Sequence, residues 1–216
     1  MNRYRSILLV GPPGSGKGTQ GRALGVLPGL FHCACGDVFR SLDLETELGK
    51  EFLSYSSRGL LVPDALTIQL WRSHIQRCVE NNHFNPATDH LVLDGIPRTA
   101  KQAALMDEFI EVEMVLHLWG VPRHQIVHRL KRRALKENRL DDASDEVVNR
   151  RLDLYKSESA ALLSHYPKSL RRPIDAELSA PLVLQNILTA VNDTDTDAPS
   201  SFFENTNHFY DDFANH

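Results

Sequence analysis

Cysteine is scarce in this chain of 216 residues: there are three, Cys33, Cys35 and Cys78. A small, odd number excludes a disulfide framework and suits a reducing interior. Cys33-Ala34-Cys35 lacks a second pair to complete a metal-ligand spacing and reads as core. Aromatic residues make up 7% of the chain. They form none of the platforms that single-stranded nucleic acid stacks on, and the strong basic excess of such binders is missing too, so no nucleic-acid partner is expected. No apolar run approaches the ~20 residues of a membrane span, and the first residues lack the apolar stretch of a signal peptide. A cytoplasmic protein with no membrane partner is therefore expected.

Positive charge is absent from one region altogether. Residues 192–216 hold six acids (Asp193, Asp195, Asp197, Glu204, Asp211, Asp212) and neither Lys nor Arg. Set against the net charge of −4 for the whole chain, that tail leaves a body of +2. The polar, acidic tail is expected to be flexible. Hydrophobic content of 42% and charged content of 24% are ordinary for a globular protein. Residues 1–191 are long enough to bury one full core.

The most informative stretch is Gly11-Pro12-Pro13-Gly14-Ser15-Gly16-Lys17-Gly18-Thr19. It follows the apolar run Ile7-Leu8-Leu9-Val10, read as a buried strand, and opens a helix through Gln20 to Leu24. A glycine-rich turn between strand and helix aims backbone N–H groups at a phosphate, and the helix N-terminus adds its positive dipole end. Gly14, Ser15, Gly16, Lys17, Gly18 and Thr19 are thus candidate binders of a nucleoside triphosphate, with Lys17 on the outer phosphates. Position 18 is Gly where the general pattern has a hydroxyl, and the hydroxyl comes one residue later. Thr19 is accordingly read as a magnesium neighbour acting through water.

Downstream, strands and helices alternate. Strands are expected at Leu30–Cys33, His90–Leu93, Val112–Trp119 and Pro173–Asp175. Helices are expected at 37–42, 44–55, from Pro63 to about Val79, from Pro97 to about Glu108, from Pro122 to about Ala134, from Asp145 to about Ser164 and at Ala180–Val191. Such alternation implies a parallel sheet covered on both faces, with ligands at the C-terminal strand ends. Two interruptions stand out as candidate lids: a helical block and the charged piece Lys136–Ala143.

Five blocks, in order, carry a resemblance to the adenylate kinase family in its short-lid form, over about residues 5 to 190. They are GPPGSGKGT at 11–19, CGDVFR at 35–40, GLLVPD at 59–64, LDGIPRTAKQ at 93–102 and the arginine series from Arg129 to Arg151. The resemblance implies an α/β, P-loop NTPase-type three-layer sandwich with a five-stranded parallel sheet, a helical NMP-binding insert at about 36–79 and a short lid at about 136–145. The lid carries no cysteine or histidine cluster, so no structural zinc is expected. The implied reaction is reversible, magnesium-dependent phosphoryl transfer from ATP to AMP, giving two ADP, by a monomer. By the same resemblance Arg40 and Arg98 clamp the acceptor phosphate, and Arg129 packs against the donor adenine. Arg133 contacts phosphate, while Arg139 and Arg151 meet the transferring group. The choice between Arg150 and Arg151 is weighed toward Arg151 by the Arg-Leu-x-x-Tyr run at 151–155. Cys35, Val62, Gly95 and Gln102 complete the AMP site.

Phosphoryl transfer between two nucleotides brings two polyanions together, so positive charge and alignment matter more than covalent chemistry. The acceptor phosphate is already ionised near neutral pH, and no general base is assigned. Asp94, at a strand end beside the phosphate loop, reads either as a holder of magnesium through water or as a turn cap. Asp37 has the same two readings. Gln102 and Thr99 both match the adenylate pattern, and a Gln amide can bond adenine through its ring and exocyclic nitrogens. Cys35 stands where the family has Thr, and Ile96 where it has Phe, which weakens the preference for AMP. A UMP/CMP kinase of the same fold is the first alternative, and a catalytically weak nucleotide-binding homologue the second.

Overall fold

A computed structural model of the chain describes residues 3–43, 45–137 and 144–192. Five strands, β1 (Tyr4–Val10), β2 (Leu30–Ala34), β3 (His90–Asp94), β4 (Ile110–Trp119) and β5 (Arg171–Asp175), form one sheet in the order β2-β3-β1-β4-β5. Every pairing is parallel, with Leu8 opposite Leu93 on one side and Val115 on the other. Parallel strands need crossovers, and among the described residues seven of eight helices lie in them, the eighth following β5. The eight are α1 (Lys17–Leu24), α2 (Cys35–Arg40), α3 (Glu47–Ser56), α4 (Asp64–Glu80), α5 (Ala100–Met106), α6 (Arg123–Glu137), α7 (Asp145–His165) and α8 (Ala180–Asn192).

Period-two alternation along the strands feeds two apolar layers. Leu8, Val10, Leu91, Leu93 and Val115 share one with Trp71, Ile75, Phe84, Met106 and Leu162. Ile7, Leu9, Val92, Leu116 and Leu118 share the other with Leu24, Ile126, Leu130, Leu152, Val183 and Ile187. Trp71 and Phe84 are each 1% exposed, and fully burying a side chain of the Phe class stabilises a fold by about 1.5–3 kcal/mol. The first layer also receives the helices between β2 and β3. In α4, Ile68, Trp71, Ile75 and Cys78 recur every three or four residues and are all buried, the stripe that fixes an amphipathic helix on a core. α7 serves both layers, Val148 and Leu152 packing in one and Leu162 and Leu163 in the other.

Helix starts differ from the sequence reading in an instructive way. Pro63, Pro97 and Pro122 were each expected as helix openers. Pro63 and Pro122 lie just outside α4 and α6, where their carbonyls accept the first helical bonds from Thr67 and Ile126. Pro97 lies further out, after a cis Ile96–Pro97 peptide. α5 begins only at Ala100, because the Thr99 hydroxyl accepts the Gln102 N–H at 3.1 Å and so sets the cap. α6 runs to Glu137, past the expected end near Ala134, so Lys136 and Glu137 of the expected lid are helical. Residues 138–143 and 193–216, which carry the rest of that lid and nearly all of the acidic tail, lie outside the described residues.

α1 meets β2 through an absence of side chain. A Cβ on Gly21 would stand 2.2 Å from His32 Nε2 and 2.5 Å from its Cδ2. The same side chain lies close to the glycine that caps the end of α1, where a Cβ on Gly25 would meet the His32 Cβ at 2.6 Å, and Asp94 Oδ2 lies 3.9 Å from the Nε2. Gly21→Ala is therefore expected to destabilise the fold by about 1–3 kcal/mol, the ordinary cost of overpacking, read as a lowered Tm in thermal unfolding.

Candidate functional site

The C-terminal end of β1, the central strand, turns into α1 through the glycine-rich loop. Two glycines there hold left-handed backbone, Gly14 at φ 82° and Gly16 at φ 102°, and the loop is otherwise closed by Ser15 N–H donating to the Pro12 carbonyl at 3.1 Å. Gly16 caps α1, and its carbonyl accepts from Thr19 and Gln20. The Lys17 side chain curls back over the loop, donating from Nζ to the carbonyls of Gly11 at 2.6 Å and Pro12 at 3.0 Å. Burial pulls its pKa down from 10.5 to about 8. Asp94 opposes that fall, while Arg98, Arg133 and Arg151 add to it. A lysine that feels three guanidinium groups marks a place where cations converge against their mutual repulsion, as functional sites do. The Ser15 hydroxyl is buried in the same loop without a hydrogen-bond partner, a cost that a phosphate oxygen would relieve.

At the end of β3, the neighbouring strand, burial works against ionising Asp94, yet His32, Lys17 and Arg98 together hold its carboxyl below the usual carboxylate range. Gly95 follows with φ 80°, and its carbonyl accepts from Arg98 Nε at 2.8 Å. The Gln102 amide is 2% exposed. Its Oε1 accepts the Arg98 N–H at 2.8 Å, and its Nε2 donates to Asp64 Oδ1 at 2.9 Å. On α2, Cys35 is buried, and burial raises its thiol to about 11. Arg40 pairs with Asp37 and crosses Gly36, where a Cβ would stand 3.0 Å from both terminal guanidinium nitrogens. Arg129 donates to the Ala176 carbonyl at 3.4 Å.

These residues line one cavity of about 810 Å³. Gly14, Ser15, Gly16, Lys17, Gly18 and Thr19 line it together with Asp94, Gly95 and Arg98. Cys35, Arg40, Val62 and Gln102 lie on its walls, as do Arg129, Arg133 and Arg151. Arg139 lies outside the described residues. Arg150 turns elsewhere, to the Arg58 carbonyl at 2.9 Å and Glu146 at 2.8 Å, whereas Arg151 borders the cavity. Thr99, read from sequence as part of the acceptor pattern, is occupied as the α5 cap. Ile96 is 2% exposed and belongs to the same core layer as Cys35 and Trp71. Arg22 and Arg132, which the sequence motifs do not single out, also line the cavity, with Lys136. Their i, i+3 spacing from Thr19, Arg129 and Arg133 is the signal the sequence offers.

Magnesium is tested by what stands near Asp94. A side chain on Gly18 would begin 3.4 Å from Asp94 Oδ2, so glycine leaves the space before that oxygen open. Thr19 is exposed one residue on. Among the described residues no three of His, Cys, Asp or Glu gather into a cage. One carboxylate facing open space suits an ion that keeps its waters and takes phosphate oxygens, and magnesium fits.

A lysine-bearing phosphate loop on the central strand of an all-parallel sheet, facing several arginines across one cavity, defines a P-loop phosphotransferase. The family model described as Adenylate kinase matches residues 9–170. An adenylate kinase of Thermobifida fusca (strain YX) is 36% identical over 192 residues, covering 86% of this chain and 97% of the relative. One from Cyanothece sp. is 37% identical over 171 residues, 76% and 83% of the two chains. One from Corynebacterium urealyticum is 34% identical over 188 residues, 86% and 98%. The chain belongs to the adenylate kinase family.

Proposed function

We propose that this protein catalyses ATP + AMP ⇌ 2 ADP. The observation that carries the reading is the single cavity in which the phosphate loop and Lys17 meet Arg98, Arg133 and Arg151, with Gln102 and Arg40 on the wall formed by α2, α4 and α5. Donor phosphates lie along the loop N–H groups and Lys17, with the donor adenine beside Arg129. The acceptor phosphate lies on Arg40 and Arg98, whose planar forks match its oxygens.

An oxygen of the AMP phosphate then attacks the γ-phosphorus. The new P–O bond forms as the bond from that phosphorus to the β,γ-bridging oxygen breaks, and the electron pair leaves on the β-phosphate of ADP. The attacking oxygen carries no proton at neutral pH, so no base is required. What the protein supplies is alignment and positive charge on the equatorial oxygens, from Lys17, Arg133, Arg139 and Arg151. Asp94 and Thr19 would hold magnesium through water, and the ion would supply positive charge beside the donor phosphates. Closure of the α2–α4 block and of the 136–145 segment would exclude the water that could otherwise take the phosphoryl group.

A coupled assay of nucleoside diphosphate formation from ATP with AMP, UMP, CMP or GMP tests the reading. AMP is expected to give the highest kcat/KM. A protein preferring UMP or CMP would be the pyrimidine kinase of this fold, and one that turns over none of the four is not a kinase of monophosphates.

A further inference from the structure

Gln102 is held from both sides by groups whose hydrogen-bonding sense cannot be reversed. The Arg98 backbone N–H can only donate, and it meets Oε1 at 2.8 Å. The Asp64 carboxylate can only accept, and it meets Nε2 at 2.9 Å, with Lys101 Nζ 3.6 Å from its other oxygen. Rotating the amide by half a turn would set donor against donor at Arg98 and acceptor against acceptor at Asp64. That reversal takes place in a side chain that is 2% exposed, where water cannot compensate. After both bonds are made, Gln102 has one lone pair on Oε1 and one hydrogen on Nε2 left for a ligand.

We propose that Asp64 is a specificity-determining positioning residue, which with the Arg98 N–H locks the Gln102 amide so that it accepts only a base presenting an exocyclic amine next to a bare ring nitrogen. The inference rests on the reading of Gln102 as the acceptor-base contact. Adenine offers that pattern, with its exocyclic amine donating and its ring nitrogen accepting, and so does cytosine. Guanine and uracil offer an exocyclic carbonyl beside a ring N–H, which places oxygen against oxygen and hydrogen against hydrogen. A site built to bond one pattern rejects the inverse because buried polar groups are left unpaired. Asp64 touches no substrate in this account. It sits at the first turn of α4, where an acid is at home for helical reasons alone, and its second role comes from the tertiary contact.

The test is kcat/KM for AMP, GMP, CMP and UMP in the wild type, Asp64→Asn and Asp64→Glu. Asparagine can donate, so turning the amide then costs one mismatch in place of two. Both the AMP/GMP and the CMP/UMP ratio are expected to fall by about tenfold, the worth of roughly one hydrogen bond to a charged group. Asp64→Glu, still an acceptor only, should restore much of both ratios. A purely structural role would lower all four values in common and leave the ratios alone; unchanged ratios in Asp64→Asn overturn the lock. The CMP/UMP pair matters because the two bases are equal in size, so altered packing cannot mimic the effect. The wild type alone is also decisive, without any variant: the lock demands CMP over UMP, and equal use of the two overturns it. If the wild type fails to phosphorylate AMP, it is the acceptor-site reading that falls, and the lock falls with it.

Discussion

Lys17→Ala is expected to reduce turnover by about 10³-fold while leaving the protein folded and no less stable than the parent. The size follows from removing a cation that acts on charge in the transferring group inside a preorganised site, a class of loss that runs to two or three orders of magnitude. The stability half of the expectation follows from the same pKa. Burial, with Arg98, Arg133 and Arg151, holds Lys17 at about 8 in the folded chain against 10.5 when unfolded. Between those values the unfolded chain binds more protons, so this group makes the fold more stable as pH rises from 8 to 10.5 and gives nothing further above it. Below pH 8 the charge is a burden on the fold. Alanine lifts that burden, and the pH-linked gain between 8 and 10.5 should disappear with it. Turnover by the coupled assay and Tm against pH are the two measurements. A large loss of Tm at pH 7 would mean that Lys17 holds the loop through its bonds to the Gly11 and Pro12 carbonyls more than it serves phosphate.

Arg98→Ala should lower kcat/KM for AMP by about 10²–10³-fold and leave ATP affinity nearly unchanged. Arg98 is exposed to the cavity and steadied by the Gly95 carbonyl at 2.8 Å, and the proposed function gives it the acceptor phosphate together with Arg40. Arg98→Lys should recover little, because a point charge lacks the planar fork that binds two oxygens at once. Steady-state kinetics with AMP varied, beside ATP binding by calorimetry, separate the two nucleotide sites. An equal loss on both sides, or full rescue by lysine, would remove Arg98 from the acceptor role.

Much of the site could be read in the chain order because phosphate chemistry constrains residue types tightly. Glycines with left-handed backbone at 14 and 16, a lysine behind them and arginines on two later blocks have few other uses in combination. The sheet was legible for a similar reason: buried parallel strands such as Ile7–Val10 and His90–Leu93 are short apolar runs with few other readings. β1 nevertheless starts at Tyr4, three residues early, because Arg5 and Ser6 are ladder residues whose polarity hides them. Thr99 is read as a mark of base preference, and its hydroxyl also caps α5, a local role that the motif does not announce. Asp64 was unreadable as a partner of Gln102, since 38 residues separate them and an acid after a proline at a helix start already has a local explanation. Local patterns disclose groups facing a ligand of known chemistry; they do not disclose which side chain steadies another.

The three thiols carry a consequence of their own. Cys33 and Cys35 are 2% exposed and Cys78 8%, none is bonded to another, and burial pushes all three above the ordinary range for cysteine. Thiolate is the reactive form, so Cys33 and Cys78, which lie off the cavity, should react slowly with alkylators and peroxide in the folded chain, whereas Cys35 on the cavity wall is slowed by its raised pKa alone. An adduct on Cys33 or Cys78 requires an opening of the apolar layer that the two share, and its bulk then opposes re-closure. At those two positions, thiol damage is a tally of past openings more than a cause of them.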